Sequence, residues 1–361
     1  MSHPHDHGGT IFAAARQLGV TPAEISDFSA SINPLGISPR VREALTGSID
    51  DLVHYPDSSQ LELKQALALH HDLAPDNFAV ANGSTELIYN LPLLLPGKRA
   101  LIISPSFSEY VHSLNQHGWQ IRHLTLTAEN NFAINLVELE QALAGGMDAL
   151  YLCNPGNPNG ALHPRGVIQH ILGLCRAAGA FLVLDEAFMD FCEEASAKHL
   201  IVQSDNALLL RSMTKFFGIP GLRLGYAVGQ PDLIRRLDAL GGPWSVNTLA
   251  QAAGRAALQD REYLQSTRDL IERERQDLVR KLELIPQLKV YPSAVNYLLI
   301  EIRRGPTAGE LGELLLRQRI LIRDCSSFRG LSERFFRIAV RTQVENQRLL
   351  DSLGKIFGPN D

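Results

Sequence analysis

Arg211-Ser-Met-Thr-Lys215-Phe-Phe-Gly-Ile-Pro-Gly-Leu-Arg223-Leu-Gly-Tyr226 is the most informative stretch of this 361-residue chain. Lys215 stands in an apolar setting. A lysine there loses the hydration its charge needs, so its pKa falls and the free amine can attack a carbonyl. Ser212, Thr214 and Arg223 add two hydroxyls and a guanidinium, a donor set suited to a phosphate. About thirty residues upstream, Phe181-Leu-Val-Leu-Asp185-Glu-Ala-Phe188 reads as a buried strand ending in a carboxylate.

A carbonyl-seeking amine, a phosphate cradle and a buried acid together match what pyridoxal 5'-phosphate needs. The acid would serve its pyridinium nitrogen. Ser-x-x-Lys alone is common, and so is a strand ending in Asp; their order and spacing make the conjunction specific.

Outward from these runs, short apolar segments alternate with helix-length amphipathic ones. Strands are expected at Phe78–Ala81, Ala100–Ser104, Ile121–Leu126, Ala149–Cys153, Ala180–Asp185, Ala207–Arg211 and Leu224–Val228. Helices are expected at Thr85–Leu95, Leu136–Ala144 and Pro164–Ala178. Continuous apolar strands separated by helices imply a mainly parallel sheet covered on both faces, with ligands at the strands' carboxyl ends. Asn82-Gly83-Ser84, Asn157 and the Lys215 loop would gather there.

Pro243-Trp-Ser-Val-Asn247 marks the exit from that layer. A helical stretch over Thr248–Leu284 follows, broken near Asp260. Strands at Lys289–Tyr291, Tyr297–Ile302 and Phe336–Val340, with helices at Thr307–Arg319 and Gln343–Phe357, form a smaller α+β tail. The expected division is an arm over 1–30 that joins the small domain, a large domain over 31–260 and a small one over 261–361.

Composition excludes several classes. Hydrophobic residues at 45% and charged residues at 20% describe an ordinary globular enzyme. The net charge of −5 gives no footprint for nucleic acid or membrane. No apolar run is long enough to span a bilayer, and the polar, His-rich start is not a secretory signal. Cys153, Cys175, Cys192 and Cys325 lack metal or disulfide spacing and read as reduced core thiols of a cytoplasmic protein. His3, His5 and His7 alternate in a polar N-terminal arm that reads as a solvated tail, so no metal site is expected.

The Lys215 and Asp185 segments resemble the fold-type I pyridoxal-phosphate enzymes, the aminotransferase superfamily. That resemblance implies a fold-type I transferase fold, with Lys215 and Asp185 as catalytic residues. By the same resemblance Gly83, Ser84, Thr85, Ser212, Thr214 and Arg223 would hold the cofactor phosphate. Free N–H groups at the start of a helix make an anion site, although Ser84 or Thr85 could instead serve as an ordinary N-cap. Phe107 would stack on the pyridine. Asn157, in Asn154-Pro-Gly-Asn-Pro-Asn-Gly160, would donate to the cofactor's phenolic oxygen. Phe188 stands where most members carry a Tyr that also reaches that oxygen. Tyr55, in His54-Tyr-Pro-Asp57, would reach the cofactor phosphate of a neighbouring subunit, which implies a homodimer with shared sites.

Asp-Glu-Ala-Phe188, the His7-Gly-Gly opening, Asp27-Phe-Ser-Ala-Ser-Ile-Asn33-Pro-Leu-Gly36 and Pro243-Trp-Ser-Val-Asn247 narrow the resemblance to the superfamily's phosphothreonine-decarboxylating branch. What this implies is conversion of L-threonine O-3-phosphate to (R)-1-aminopropan-2-yl phosphate and CO2 for cobalamin. Arg337 would take the substrate carboxylate and Arg323 the substrate phosphate, helped by His7 and Gly8, with Asn33 and Asn157 also touching substrate. The neighbouring alternative is a histidinol-phosphate aminotransferase. A non-catalytic regulator module is disfavoured, because the chain carries no added basic DNA-binding domain and keeps its lysine.

Overall fold

The computed structural model describes residues 7–358; His3 and His5 lie outside them. A seven-stranded sheet runs in the order Phe78–Ala81, Gly225–Val228, Ala207–Ser212, Phe181–Asp185, Ala149–Cys153, Arg99–Ser104, Gln120–Thr125. Gly225–Val228 is antiparallel to both neighbours, and the other pairs are parallel. Every expected strand of this sheet is present, with ends within one residue or two.

Period-two alternation sorts the side chains into two cores. Leu101, Ile103, Leu150, Leu152, Leu182, Leu184 and Leu209 face one layer. There they meet Leu139 of the helix Leu136–Ala144 and Ile168 and Ile171 of the helix Arg165–Ala178. Ala100, Ile102, Tyr151, Val183, Leu208 and Leu210 face the other, against Leu87 and Leu91 of the helix Ser84–Leu94 and Leu114 of the helix Glu109–Gln116. Strands buried on both faces must be apolar at every position, which explains their near-continuous hydrophobic runs. Each fully buried Leu or Ile adds about 1.5–3 kcal/mol relative to exposure.

The expected helix break is real. Thr248–Gln259 ends where Asp260 accepts a hydrogen bond from the Tyr263 amide and starts the helix Arg261–Leu282. Beyond it, an antiparallel sheet runs Arg323–Asp324, Phe335–Ala339, Tyr297–Ile302, Leu288–Val290. The helices Arg261–Leu282, Ala308–Leu316 and Gln343–Phe357 cover it. The helix expected to reach Arg319 stops earlier, and Arg319 itself adopts a left-handed φ of 62°. Near the N-terminus, Ser26–Asp27 pairs in parallel with Ile320–Leu321, and Phe28 is buried in this third core. No described helix is long and apolar enough to cross a membrane.

Candidate active site

Asp185 ends its strand on the same sheet face as Val183, and Ser212 ends the next strand on the face of Leu208 and Leu210. Alternation therefore sends Asp185 and Ser212 to one side and Glu186 and Arg211 to the other. On the reverse side, Arg211 is buried with its guanidinium 3.0 Å from Glu186, 2.7 Å from Glu193 and 3.4 Å from Asp190. Those contacts tie together the two strand ends that carry the site.

Lys215 Nζ donates to Ser212 Oγ at 3.0 Å, and that hydroxyl is 2.8 Å from Thr214 Oγ1. Nζ also lies 5.3 Å over the Phe188 ring. Burial pushes the ammonium's pKa down; Asp185 opposes this, while Arg223 and Arg337 reinforce it. The result is an amine inclined to be neutral and nucleophilic. Burial likewise pushes the Asp185 carboxyl up, against the Tyr110 hydroxyl and the Lys215 charge. Tyr110 donates to Oδ2 at 2.5 Å and the Ala187 amide to Oδ1 at 2.9 Å.

Gly83 has a φ of +84°, and a Cβ there would come within 2.7 Å of Arg223 Nη2. The absent side chain lets the guanidinium lie against the turn that opens the helix Ser84–Leu94. That helix is capped by Gly83 with no side-chain hydrogen bond, so neither Ser84 nor Thr85 acts as N-cap. Gly225 completes the cradle. A Cβ on it would meet the Ser84 amide at 2.3 Å and the Arg211 carbonyl at 3.0 Å, so it packs the 83–84 turn against the end of the Ser212 strand.

Arg337 donates to Asn157 Oδ1 and, at 3.1 Å, to the Ser29 carbonyl. Its guanidinium sits 5.0 Å over Tyr297, whose ring packs edge-on to Phe188 at 4.9 Å. Arg323 is the cross-strand partner of Arg337, and both are buried. Like charges directly opposite each other are unfavourable, so a site that keeps two buried guanidiniums there is made for anions. Burial first, and Arg323 among the lesser causes, holds the Arg337 pKa below its ordinary value.

His7 Nε2 is 2.8 Å from Glu109 Oε1, and its ring lies 5.3 Å from Phe107, which is edge-on to Tyr110 at 5.9 Å. Gly8 runs so close to Ser29 that a Cβ would strike its carbonyl at 2.2 Å. The opening segment thus lies beside Arg337. Tyr55 is not brought to Lys215 of its own chain; it is 80% exposed and stacked on Trp244 at 4.6 Å.

Asn33 is a correction. Its amide was expected to touch substrate, yet both ends are taken up inside the protein. Nδ2 reaches the Phe216 carbonyl, the Tyr263 hydroxyl and Thr267 Oγ1, while Oδ1 accepts from the Leu35 amide. The NH2 group therefore has no proton left for a ligand. Residues that sequence reasoning missed include Tyr110, Gly225, Ser31 and Asn296. Ser31 Oγ, Asn296 Oδ1 and Arg337 Nε are buried without a hydrogen-bond partner among the described residues. Asn296 donates to the Ser31 carbonyl, and Arg337 to the nearby Ser29 carbonyl. No local pattern marks the missed residues: Tyr110 reaches Asp185 across 75 residues of chain, and Asn296 reaches Ser31 across 265.

A lysine amine with lowered pKa, a carboxylate whose burial calls for a cationic partner and a glycine-floored phosphate cradle fit pyridoxal 5'-phosphate. The chain belongs to the aminotransferase class I and II family, whose defining pattern matches residues 23–353. Within that class it is 40% identical to the threonine-phosphate decarboxylase of Salmonella typhimurium over 353 residues, 97% of this chain and 96% of that one. It is 31% identical to the histidinol-phosphate aminotransferase of Methanothermobacter thermautotrophicus over 357 residues, 98% of this chain and 94% of that one. Its fold also matches the crystal structure of L-threonine-O-3-phosphate decarboxylase from Porphyromonas gingivalis. That match has a TM-score of 0.81 and 29% identity, covering 92% of this chain and 99% of that one.

Proposed function

We propose that this pyridoxal-phosphate enzyme decarboxylates L-threonine O-3-phosphate, giving (R)-1-aminopropan-2-yl phosphate and CO2 for cobalamin synthesis. The observation that carries this reading is the full-length likeness to the decarboxylase, 40% against 31% for the aminotransferase.

When bound, pyridoxal phosphate supplies an electron sink for the pair released as a bond at the substrate α-carbon breaks. Lys215 would hold the cofactor through its amine. Asp185, steadied by Tyr110, keeps the proton on the ring nitrogen. Gly83, Ser84, Thr85, Ser212, Thr214 and Arg223 would hold the cofactor phosphate. Phe107 would stack on the ring, and Asn157 would donate to its phenolic oxygen. Phe188 offers no hydroxyl there, so Asn157 serves that oxygen without it.

Arg337 grips the substrate carboxylate, with a planar fork suited to bidentate pairing. Arg323 takes the substrate phosphate beside His7 and Gly8. An arginine fixed by both Asn157 and the Ser29 carbonyl is suited to hold that carboxylate in a single orientation. A proton then replaces CO2 on the α-carbon.

Tyr55 completes the cofactor site of a second copy, so the working form is a cytoplasmic homodimer with shared sites. Its exposed position on one chain supports that reading.

Product analysis decides the reaction. With L-threonine phosphate alone, CO2 and aminopropanol phosphate should accumulate in equal amounts without a keto acid. Glutamate formed from histidinol phosphate and 2-oxoglutarate, with no CO2 from phosphothreonine, would reassign the protein to the aminotransferases.

A further inference from the structure

Asn33, excluded from the substrate, has another task. Its backbone amide donates to the Lys215 carbonyl at 3.0 Å, and its Nδ2 lies 2.7 Å from the Phe216 carbonyl. The same nitrogen is 2.9 Å from the Tyr263 hydroxyl and 2.8 Å from Thr267 Oγ1, both on the helix Arg261–Leu282. Tyr263 donates onward to the Gly36 carbonyl at 2.5 Å. Gly218 has a φ of +67°, and a Cβ on it would sit 2.5 Å from that Gly36 oxygen. The turn at residues 33–36 therefore lies flat on the turn at residues 215–218, with Asn33 as the clasp.

We propose that Asn33 is a positioning residue for Lys215: it fixes the carbonyls of the lysine turn against the helix Arg261–Leu282 and so sets where Nζ can reach. The proposal rests on Lys215 being the residue that holds the cofactor. A lysine side chain is long and flexible, so its reach is defined only as well as the backbone that carries it. A displacement of about 1 Å at a reacting group can cost roughly a hundredfold in rate. The Asn33 amide is well chosen for this, because its two N–H protons face three acceptors within 2.9 Å, the Phe216 carbonyl and the Tyr263 and Thr267 hydroxyls. Asn33→Asp keeps the shape but turns an oxygen toward the Phe216 carbonyl, which has no proton to give.

The test uses holoenzyme of wild type, Asn33→Asp and Asn33→Ala. The pH titration of the cofactor's visible absorption and the rate of borohydride trapping report the link to Lys215 directly. Kinetics with L-threonine phosphate give kcat and KM separately. Both variants should move the titration midpoint, slow trapping and lower kcat about tenfold or more, with KM changed less than about twofold. An unchanged midpoint overturns the proposal whatever the turnover. So does a raised KM with kcat and midpoint intact, which would return Asn33 to the substrate. If neither variant folds, Thr267→Val removes one partner of the amide at nearly constant volume and should shift the midpoint in the same direction; no shift overturns the idea. Peptide mapping of the wild-type adduct separates the two claims, since a label on a lysine other than Lys215 refutes the site assignment without involving Asn33.

Discussion

Asp185 is defined by what surrounds it: burial that disfavours its charge, and one hydroxyl from Tyr110 that favours it. Asp185→Asn should leave fold and cofactor content in place while lowering turnover by a factor of about 10²–10³, the scale of losing one electrostatic stabiliser. Tyr110→Phe removes a hydrogen bond to a charged group, worth about 1.5–3 kcal/mol, and should lower turnover less than Asp185→Asn does. Steady-state rates at matched cofactor occupancy check both. Near-normal turnover in Asp185→Asn would mean that another group serves the ring nitrogen. Asp185 and Lys215 were legible in the sequence because each sits at a fixed place in a local pattern, a strand end and a hydroxyl-rich loop. Tyr110 and the clasp at Asn33 were not. Their partners lie 75 and more than 180 residues away in the chain, and no local period reports such a pairing. Asn33 was misread for the opposite reason: its Asn-Pro-Leu-Gly context is recognisable, but which way the amide faces is settled only by tertiary contacts.

At the scale of elements, alternation and length were enough to find every strand of the large sheet: burial on both faces leaves the inner strands little freedom in composition, and the partly exposed edge strand Gln120–Thr125 alternates instead. The reversed direction of Gly225–Val228 was hidden, since strand polarity leaves no mark on residue type. Asp260 shows how one side chain can divide a long helical stretch: it ends one helix and caps the next through the Tyr263 amide. Asp260→Ala should destabilise the protein by about 1 kcal/mol, the usual cost of losing such a cap. Denaturant unfolding should show it as a lowered midpoint with an unchanged slope. A change below a few tenths would place the helix break under tertiary control instead.

The whole molecule carries an acid sensitivity built on His71. Burial pushes its pKa down to about 3, with Arg211 adding to the effect and Glu193 opposing it. The ring lies 2.6 Å from the Tyr226 hydroxyl and 3.2 Å from Lys198 Nζ. In the unfolded chain this histidine takes a proton near the ordinary value of 6.5, whereas the folded chain resists until about 3. The unfolded state binds more protons across that window, so stability is greatest above it and falls as pH drops through it. His71→Gln should flatten that part of the stability curve, measured by urea unfolding at steps between the two values. An unchanged slope would show that other groups set the acid limit. Assembly is testable at the same scale. Mixing inactive Tyr55→Phe and Lys215→Ala subunits should restore part of the activity, because one mixed site then has both residues. No recovery, with exchange proven by labelled subunits, would mean that each chain works alone.

One strand of the large sheet runs against the others, and that has a consequence in time. Gly225 begins the reversed strand beside the ends of Phe78–Ala81 and Ala207–Ser212, which is how Arg223 reaches the turn at Gly83. The phosphate cradle is thus assembled from pieces some 140 residues apart, and the last of them leaves the ribosome last. A nascent chain that ends short of Arg223 has no guanidinium to lay against Gly83. The complete cradle therefore exists only once this late strand has slotted between Phe78–Ala81 and Ala207–Ser212.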